Sequence, residues 1–183
     1  MRIAAVLSGM SFCGCRLSWQ YVRTRPPVLE RGVEMDVLEA IYQRRSIRKY
    51  QEKQISKADL EQIIQATNYA PNAGGVQWTI ICGVSNKDST TQIGRINLAR
   101  FDRSRLAESF VSKEQPSNID DPTIKNGFYG APTVCVIFSP DNFLYSIPDA
   151  FCCAENMVLA AYALGISSCI IARAEETFAS PLG

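Results

Sequence analysis

Arg44-Arg45-Ser46-Ile47-Arg48-Lys49-Tyr50 is the stretch from which the rest of the sequence can be read. In an extended backbone, side chains alternate, so Arg44, Ser46, Arg48 and Tyr50 share one side while Arg45, Ile47 and Lys49 share the other. Two guanidinium groups flanking a hydroxyl form a donor array of phosphate size. Arginine forks bind phosphate oxygens in charge-assisted pairs, and serine adds a neutral donor without bulk. The same residues also suit a solvated basic helix end, because cations beside a helix C-terminus are favourable without any ligand. Spacing alone leaves both readings open. A nucleic-acid surface fits less well, since neither an aromatic stacking platform nor a second basic stripe accompanies the run.

Composition narrows the choices. The 183 residues, 46% hydrophobic and 20% charged, suffice for one domain with a sizeable core. Nineteen Lys and Arg against 18 Asp and Glu leave a formal charge of +1. No global field therefore recruits nucleic acid or a membrane, and anion binding must come from local clusters. The sequence has no histidine, which removes the usual zinc ligand and the usual general base. The expected chemistry is that of a bound cofactor, with no catalytic side chain and no metal ligand assigned. The seven cysteines (Cys13, Cys15, Cys82, Cys135, Cys152, Cys153 and Cys169) are odd in number and lack framework spacing. Four of them sit in apolar runs and read as small buried hydrophobes in a reducing cytosol, so the protein is expected to be cytoplasmic.

Residues 1–34 differ from the remainder and read as an atypical N-terminal extension, either disordered or not native. The apolar stretch Ile3 to Leu7 is too short for a secretory signal and is broken by Ser8 and Gly9. Met35 is a candidate start, and mass spectrometry of native protein beginning at Met1 would exclude it. From Met35 a regular pattern begins. Asp36 precedes a short helix carrying Val37, Leu38, Ile41 and Tyr42, and Ser56 with Asp59 opens a second that stops near Pro71. Trp78 to Val84 and Thr133 to Phe138 read as buried strands on either side of a helical stretch from Lys87 to about Ser109. Residues 110–130 read as a long loop. Ser146 and Pro148 open a helix over about 148–164, apolar nearly all round and closed by Gly165, and Ser168 to Ala172 forms a last strand. Such a helix is either the central helix of the core or the contact with a second subunit.

Between the second helix and the first of these strands lies Ala70-Pro71-Asn72-Ala73-Gly74-Gly75-Val76-Gln77-Trp78. Paired glycines allow positive φ and close backbone approach to a flat ligand, and Asn and Gln offer amides that can read a heteroaromatic edge. On its own it is also an ordinary helix-to-strand turn. Neither a GxGxxG fingerprint nor a Walker sequence is present.

Taken in order, the basic run, this loop, Ala154-Glu155-Asn156-Met157 and Ala163-Leu164-Gly165-Ile166 before Ser168 resemble the nitroreductase family of FMN flavoproteins, from Met35 onward. The resemblance implies residues 35–183 as an FMN-binding domain of α+β class. Its central, mainly antiparallel sheet would be flanked by helices in an intertwined homodimer, with no membrane or nucleic-acid partner. By position, Arg44, Arg45 and Ser46 would hold the FMN phosphate and ribityl chain, and Arg48 would lie near the ribityl and pyrimidine end. Pro71, Asn72, Ala73, Gly74 and Gly75 would line the flavin, in part from the neighbouring subunit. Ile170, Ile171, Ala172 and Arg173 would pass the flavin ring, and Asn97 would contact the pyrimidine edge. The implied activity is ping-pong transfer from NAD(P)H to nitroaromatic, quinone or activated-alkene acceptors, with Phe128, Tyr129 or Phe143 as stacking candidates.

Several positions depart from the family pattern. Gly75 stands where many members carry Asn, and Gln77 precedes Trp78 with no intervening Pro. Ala172 replaces an acidic residue of some members, and the chain stops before the family's C-terminal glycine-proline strand and its basic pair. The alternative expectations are a flavin-consuming or dehalogenating relative, and a non-catalytic flavin-binding or inactive truncated fragment.

Overall fold

The computed structural model describes residues 2–9, 35–100, 121, 123–172 and 174–178. In chain order the elements are β1 (Arg2–Gly9), α1 (Val37–Gln43), α2 (Lys57–Thr67), β2 (Ile80–Val84), α3 (Lys87–Ala99), β3 (Thr133–Ser139), α4 (Ser146–Ala163), β4 (Ser167–Ile171) and α5 (Glu175–Phe178), with a single 3-10 turn at Ala73–Gly75. The helices begin where side-chain caps allow. Asp36 accepts from the backbone N–H of Leu38 at 2.7 Å, Ser56 from Asp59 at 3.0 Å and Asn86 from Ser89 at 2.9 Å. At the far end of α4, Gly165 takes φ +71°. There the N–H of Ile166 reaches the carbonyl of Ala161 and that of Gly165 reaches Tyr162, each at 2.8 Å, which is the paired bonding of a Schellman stop.

The strands form one sheet in the order β2-β3-β1-β4. The α+β class expected from the sequence holds, with β2 and β3 antiparallel and β1 parallel to both β3 and β4. The sheet is thus mixed, and its parallel pairs all involve β1, a segment in which the sequence pattern gave no strand. Other boundaries also shift. Trp78 is 52% exposed and lies outside β2, because Gly74, Gly75 and Gln77 with φ of +65°, +66° and +50° keep the chain turning until Thr79. Residues 101–120, which hold the end of the expected third helix and much of the expected loop, lie outside the described residues.

Alternate residues of β3 enter two cores. Cys135 and Ile137 join Ile63, Met157 and Ala161 beneath α2 and α4, while Val134 and Val136 join Ile93, Phe128 and Phe178 on the opposite face. Both faces are covered, which explains the uninterrupted apolar run of this strand. Helix α4 contacts α1, α2 and three strands, so it is the central helix of the single chain. Phe128 is completely buried and Phe143 packs edge-on against Trp78 at 4.8 Å, so core packing explains the first aromatic and a local cluster the second. Burial pushes the Cys135 thiol up to about 12, and the thiols of Cys153 and Cys169 also upward, in keeping with cysteines that act as hydrophobes.

The 126–127 turn closes on α3 through two glycines. The Gly127 N–H donates to the Gly94 carbonyl at 2.7 Å, and a Cβ on Gly127 would lie 2.0 Å from Asn97 Oδ1. Gly127→Ala is therefore expected to destabilise the fold by about 1–3 kcal/mol, the usual range for overpacking. That corresponds to a fall of roughly 3–10 °C in Tm for a chain of this size, measurable by thermal denaturation. An unchanged Tm would contradict the close approach.

Candidate functional site

The basic run begins where α1 ends. Arg44 caps the helix, its N–H donating to the Ala40 carbonyl at 3.0 Å. Arg45 folds back, its Nη1 donating to the carbonyls of Tyr42 at 2.7 Å and Arg44 at 2.8 Å. One guanidinium of the run thus serves the helix end, as the helix-end reading of these residues allows.

The next residues leave the helix and join the sheet. Ser46 bridges Ser168 in parallel fashion, and the Ile47 N–H donates to the Ser168 carbonyl at 3.0 Å. The run therefore lies along the outer edge of β4, extended as its alternation requires. The thiol of Cys169 lies next to this run. Burial raises this thiol most, and the Arg48 charge, a hydrogen bond from Ser46, the Arg44 charge and a hydrogen bond from Arg48 act in the opposite direction. Arg44, Ser46 and Arg48 alternate along this extended edge, and all three are half-buried. Together they supply two guanidinium forks and a hydroxyl along a single strip.

Beside this strip lies a cavity of about 740 Å³, within the roughly 300–1,000 Å³ range usual for small-molecule sites. Residues 46–49 form one wall, α3 contributes Thr91 and Arg95, and the segment 124–130 contributes Lys125, Asn126 and Tyr129. Tyr129 holds a left-handed backbone, φ +56°, followed by Gly130 at +69°. Arg95, Lys125 and Asn126 were not singled out from the sequence, although Thr91 and Arg95 sit four residues apart on one helical face.

The glycine loop sits on different supports. The Ala73 N–H donates to Asp149 Oδ1 at 3.0 Å, the Gln77 N–H to Asn72 Oδ1 at 3.0 Å, and Gln77 Nε2 to the Asn68 carbonyl at 3.3 Å. Asp149, buried at 6% exposure in the first turn of α4, is the anchor that sequence reading missed. Pro71, Gly74 and Gly75 are exposed, and the lining of the cavity beside the basic run includes none of Pro71–Gly75. Within one chain the loop and the cavity are separate.

The remaining expected positions are distributed as follows. Ile170 packs toward the core under α2 and α4, Ile171 is buried on the opposite face, and Ala172 is exposed at the end of β4. Arg173 lies outside the described residues. Asn97 is 2% exposed, and its Nδ2 donates to Thr177 Oγ1 at 2.9 Å, which joins α3 to α5. Among the described residues no His, Cys, Asp or Glu group is arranged to hold a metal. Among them also, no helix is long and apolar enough to cross a membrane.

Comparison with known proteins adds to this geometry. The Nitroreductase family profile matches residues 41–176, from the end of α1 to α5. An Archaeoglobus fulgidus protein with the provisional name NADH dehydrogenase/NAD(P)H nitroreductase is 30% identical over 136 residues, covering 73% of this chain and 65% of that relative. The chain thus spans about two thirds of that relative's length. A Bacteroides fragilis nitroreductase solved with bound FMN superposes with a TM-score of 0.58 at 33% identity, over 74% of this chain and 69% of that one. A Desulfitobacterium hafniense nitroreductase with bound FMN gives 0.57 at 27% identity, over 73% of this chain and 69% of that one. From α1 to α5, and therefore across the whole strip and cavity just described, the chain belongs to the nitroreductase family.

Proposed function

We propose that this chain is an FMN-dependent oxidoreductase that draws reducing equivalents from NAD(P)H and passes them to nitroaromatic, quinone or related acceptors. The observation that carries this reading is the half-buried series Arg44, Ser46 and Arg48 extended along the β4 edge. Their donor set fits a phosphomonoester followed by a polar chain. Arg44 and Ser46 would bind the phosphate, Arg48 would lie toward the pyrimidine, and the backbone of Ile170 to Ala172 would run past the ring. When bound, FMN supplies the redox chemistry, with reduced coenzyme and acceptor used in successive half-reactions. The residues of the chain bind, orient and tune, and a cation at Arg48 favours the negative charge of the reduced state.

A homodimer belongs to the same proposal. Pro71–Gly75 are held on Asp149 and away from the cavity in their own chain, so a second copy is the natural source of that wall. Val37, Leu38, Ile41 and Tyr42 on α1, and Leu144, Ile147 and Phe151 at the start of α4, are all more than 40% exposed and give such a contact its apolar surface. Residence in the cytoplasm accords with five free cysteines among the described residues.

Purified protein incubated with FMN and desalted is expected to be yellow and to oxidise NADH or NADPH when a nitroaromatic is supplied. Colourless protein without that activity would refute the proposal.

A further inference from the structure

One face of α4 holds the segment that runs from the end of α2 to the start of β2. Asp149, Cys153 and Asn156 stand at i, i+4 and i+7 on that helix and so project from the same side. Asp149 Oδ1 accepts from the Ala73 N–H at 3.0 Å, the Cys153 thiol meets the Thr79 hydroxyl at 3.5 Å, and Asn156 Nδ2 donates to the Ala66 carbonyl at 3.2 Å. Asn156 belongs to the Ala154-Glu155-Asn156-Met157 stretch, to which the flavin strip gives no task. The tip of the held segment is strained. Gln77, with φ +50°, follows Gly74 at +65° and Gly75 at +66°, and a left-handed backbone in a non-glycine residue persists only where its surroundings over-determine it. Here Asn72 Oδ1 accepts from the Gln77 N–H, and Gln77 Nε2 donates to the Asn68 carbonyl. Residues 74–78 are nevertheless exposed, so no core packing within the chain asks for this shape.

Of the three contacts, the one from Asp149 reaches nearest the tip. An acid in the first turn of a helix is favourable by itself, but that role asks for a charge and no particular partner. The buried Oδ1 of Asp149 instead meets one backbone N–H, a single residue before Gly74. We infer that Asp149 is a positioning residue for flavin binding, which fixes the turn at Ala73–Gly75 so that the glycine backbone can lie against the flavin ring. The inference rests on the proposal that the chain is a flavoprotein whose ring is lined by this loop. A flat ring binds more tightly to a wall already in place, because ordering a loop at the moment of binding lowers affinity. Asp149 itself touches no flavin atom and acts through the backbone of the loop. With the phosphate held elsewhere, by Arg44 and Ser46, loss of this anchor weakens FMN and riboflavin alike.

The test titrates wild type, Asp149→Ala, Asp149→Asn and Ala73→Pro with FMN and with riboflavin, followed by flavin fluorescence, and thermal unfolding checks each variant. Ala73→Pro removes the donor and leaves α4 untouched, and proline suits the first position of a 3-10 turn after the extended Asn72. Asp149→Ala and Ala73→Pro are expected to bind both flavins at least about tenfold more weakly than wild type, by the same factor for the two. Asp149→Asn keeps an acceptor at Oδ1 without the charge, and is expected to stay within about threefold of wild type. If Asp149→Ala does not fold, Ala73→Pro decides. Unchanged affinity in either folded variant overturns the inference. So does a loss confined to FMN, which would tie Asp149 to the phosphate, and so does an Asp149→Asn variant as weak as Asp149→Ala, which would make the charge at the helix start the cause. Loss of the cooperative transition in both Asp149→Ala and Ala73→Pro would make the contact a stability anchor and overturn it as well. Wild type that binds neither flavin refutes the flavoprotein reading and the inference with it, whereas wild type that binds flavin beside unaffected variants leaves that reading standing.

Discussion

A chain that starts at Met35 is expected to lose the centre of its sheet and fail to fold. In the register of the full chain, β1 pairs seven residues with β3 and five with β4. Its removal leaves the facing backbone edges of both strands without partners in the middle of the molecule. Each buried amide or carbonyl left unpaired costs about 1–3 kcal/mol. A handful of them equals the entire stability of a typical domain, about 5–15 kcal/mol. Insoluble protein, or soluble protein without a cooperative thermal transition, is the expected result for a 35–183 chain, against a cooperative transition for 1–183. A cooperative 35–183 chain of equal Tm would show instead that residues 1–34 are a dispensable extension, as their composition suggests.

The second large effect concerns the strip itself. Arg44→Ala combined with Ser46→Ala is expected to reduce FMN affinity by at least a hundredfold. A hydrogen bond to a charged group is worth about 1.5–3 kcal/mol, and the double change removes at least two directed at the same phosphate. Arg45→Ala is the informative comparison. Its guanidinium is committed to the carbonyls of Tyr42 and Arg44 at the end of α1, so its loss should affect stability more than flavin content. Flavin fluorescence after desalting measures both. An Arg45 variant as poor in FMN as the double variant would mean that the fold-back contact yields to the ligand.

Much of this strip was legible in the sequence because alternation is a local property. Once residues 44–50 are extended, alternation puts Arg44, Ser46 and Arg48 on one side, and the Ser46–Ser168 bridge shows the run extended along β4. Helix starts at Asp36 and Ser56 follow from equally local capping chemistry. What was not legible depends on distant partners. The run Ile3 to Leu7 resembles any short apolar segment until β3 and β4 are seen to leave a place between them. Asp149 carries no local mark in the sequence, and only the folded loop brings Ala73 to it. Arg95 and Lys125 lie 30 residues apart, and the turn at 126–127 packed on α3 makes them neighbours of one cavity. Asn97 shows the opposite case, a polar residue carried over by resemblance whose amide is engaged with Thr177 in this chain.

The central claim is that this chain recognises a flavin by its phosphate through Arg44, Ser46 and Arg48. The most direct measurement is a parallel titration of the wild-type protein with FMN and with riboflavin, which differ only in that phosphate, followed by quenching of flavin fluorescence. The account predicts that FMN binds at least about a hundredfold more tightly than riboflavin, and equal affinity for the two would contradict it.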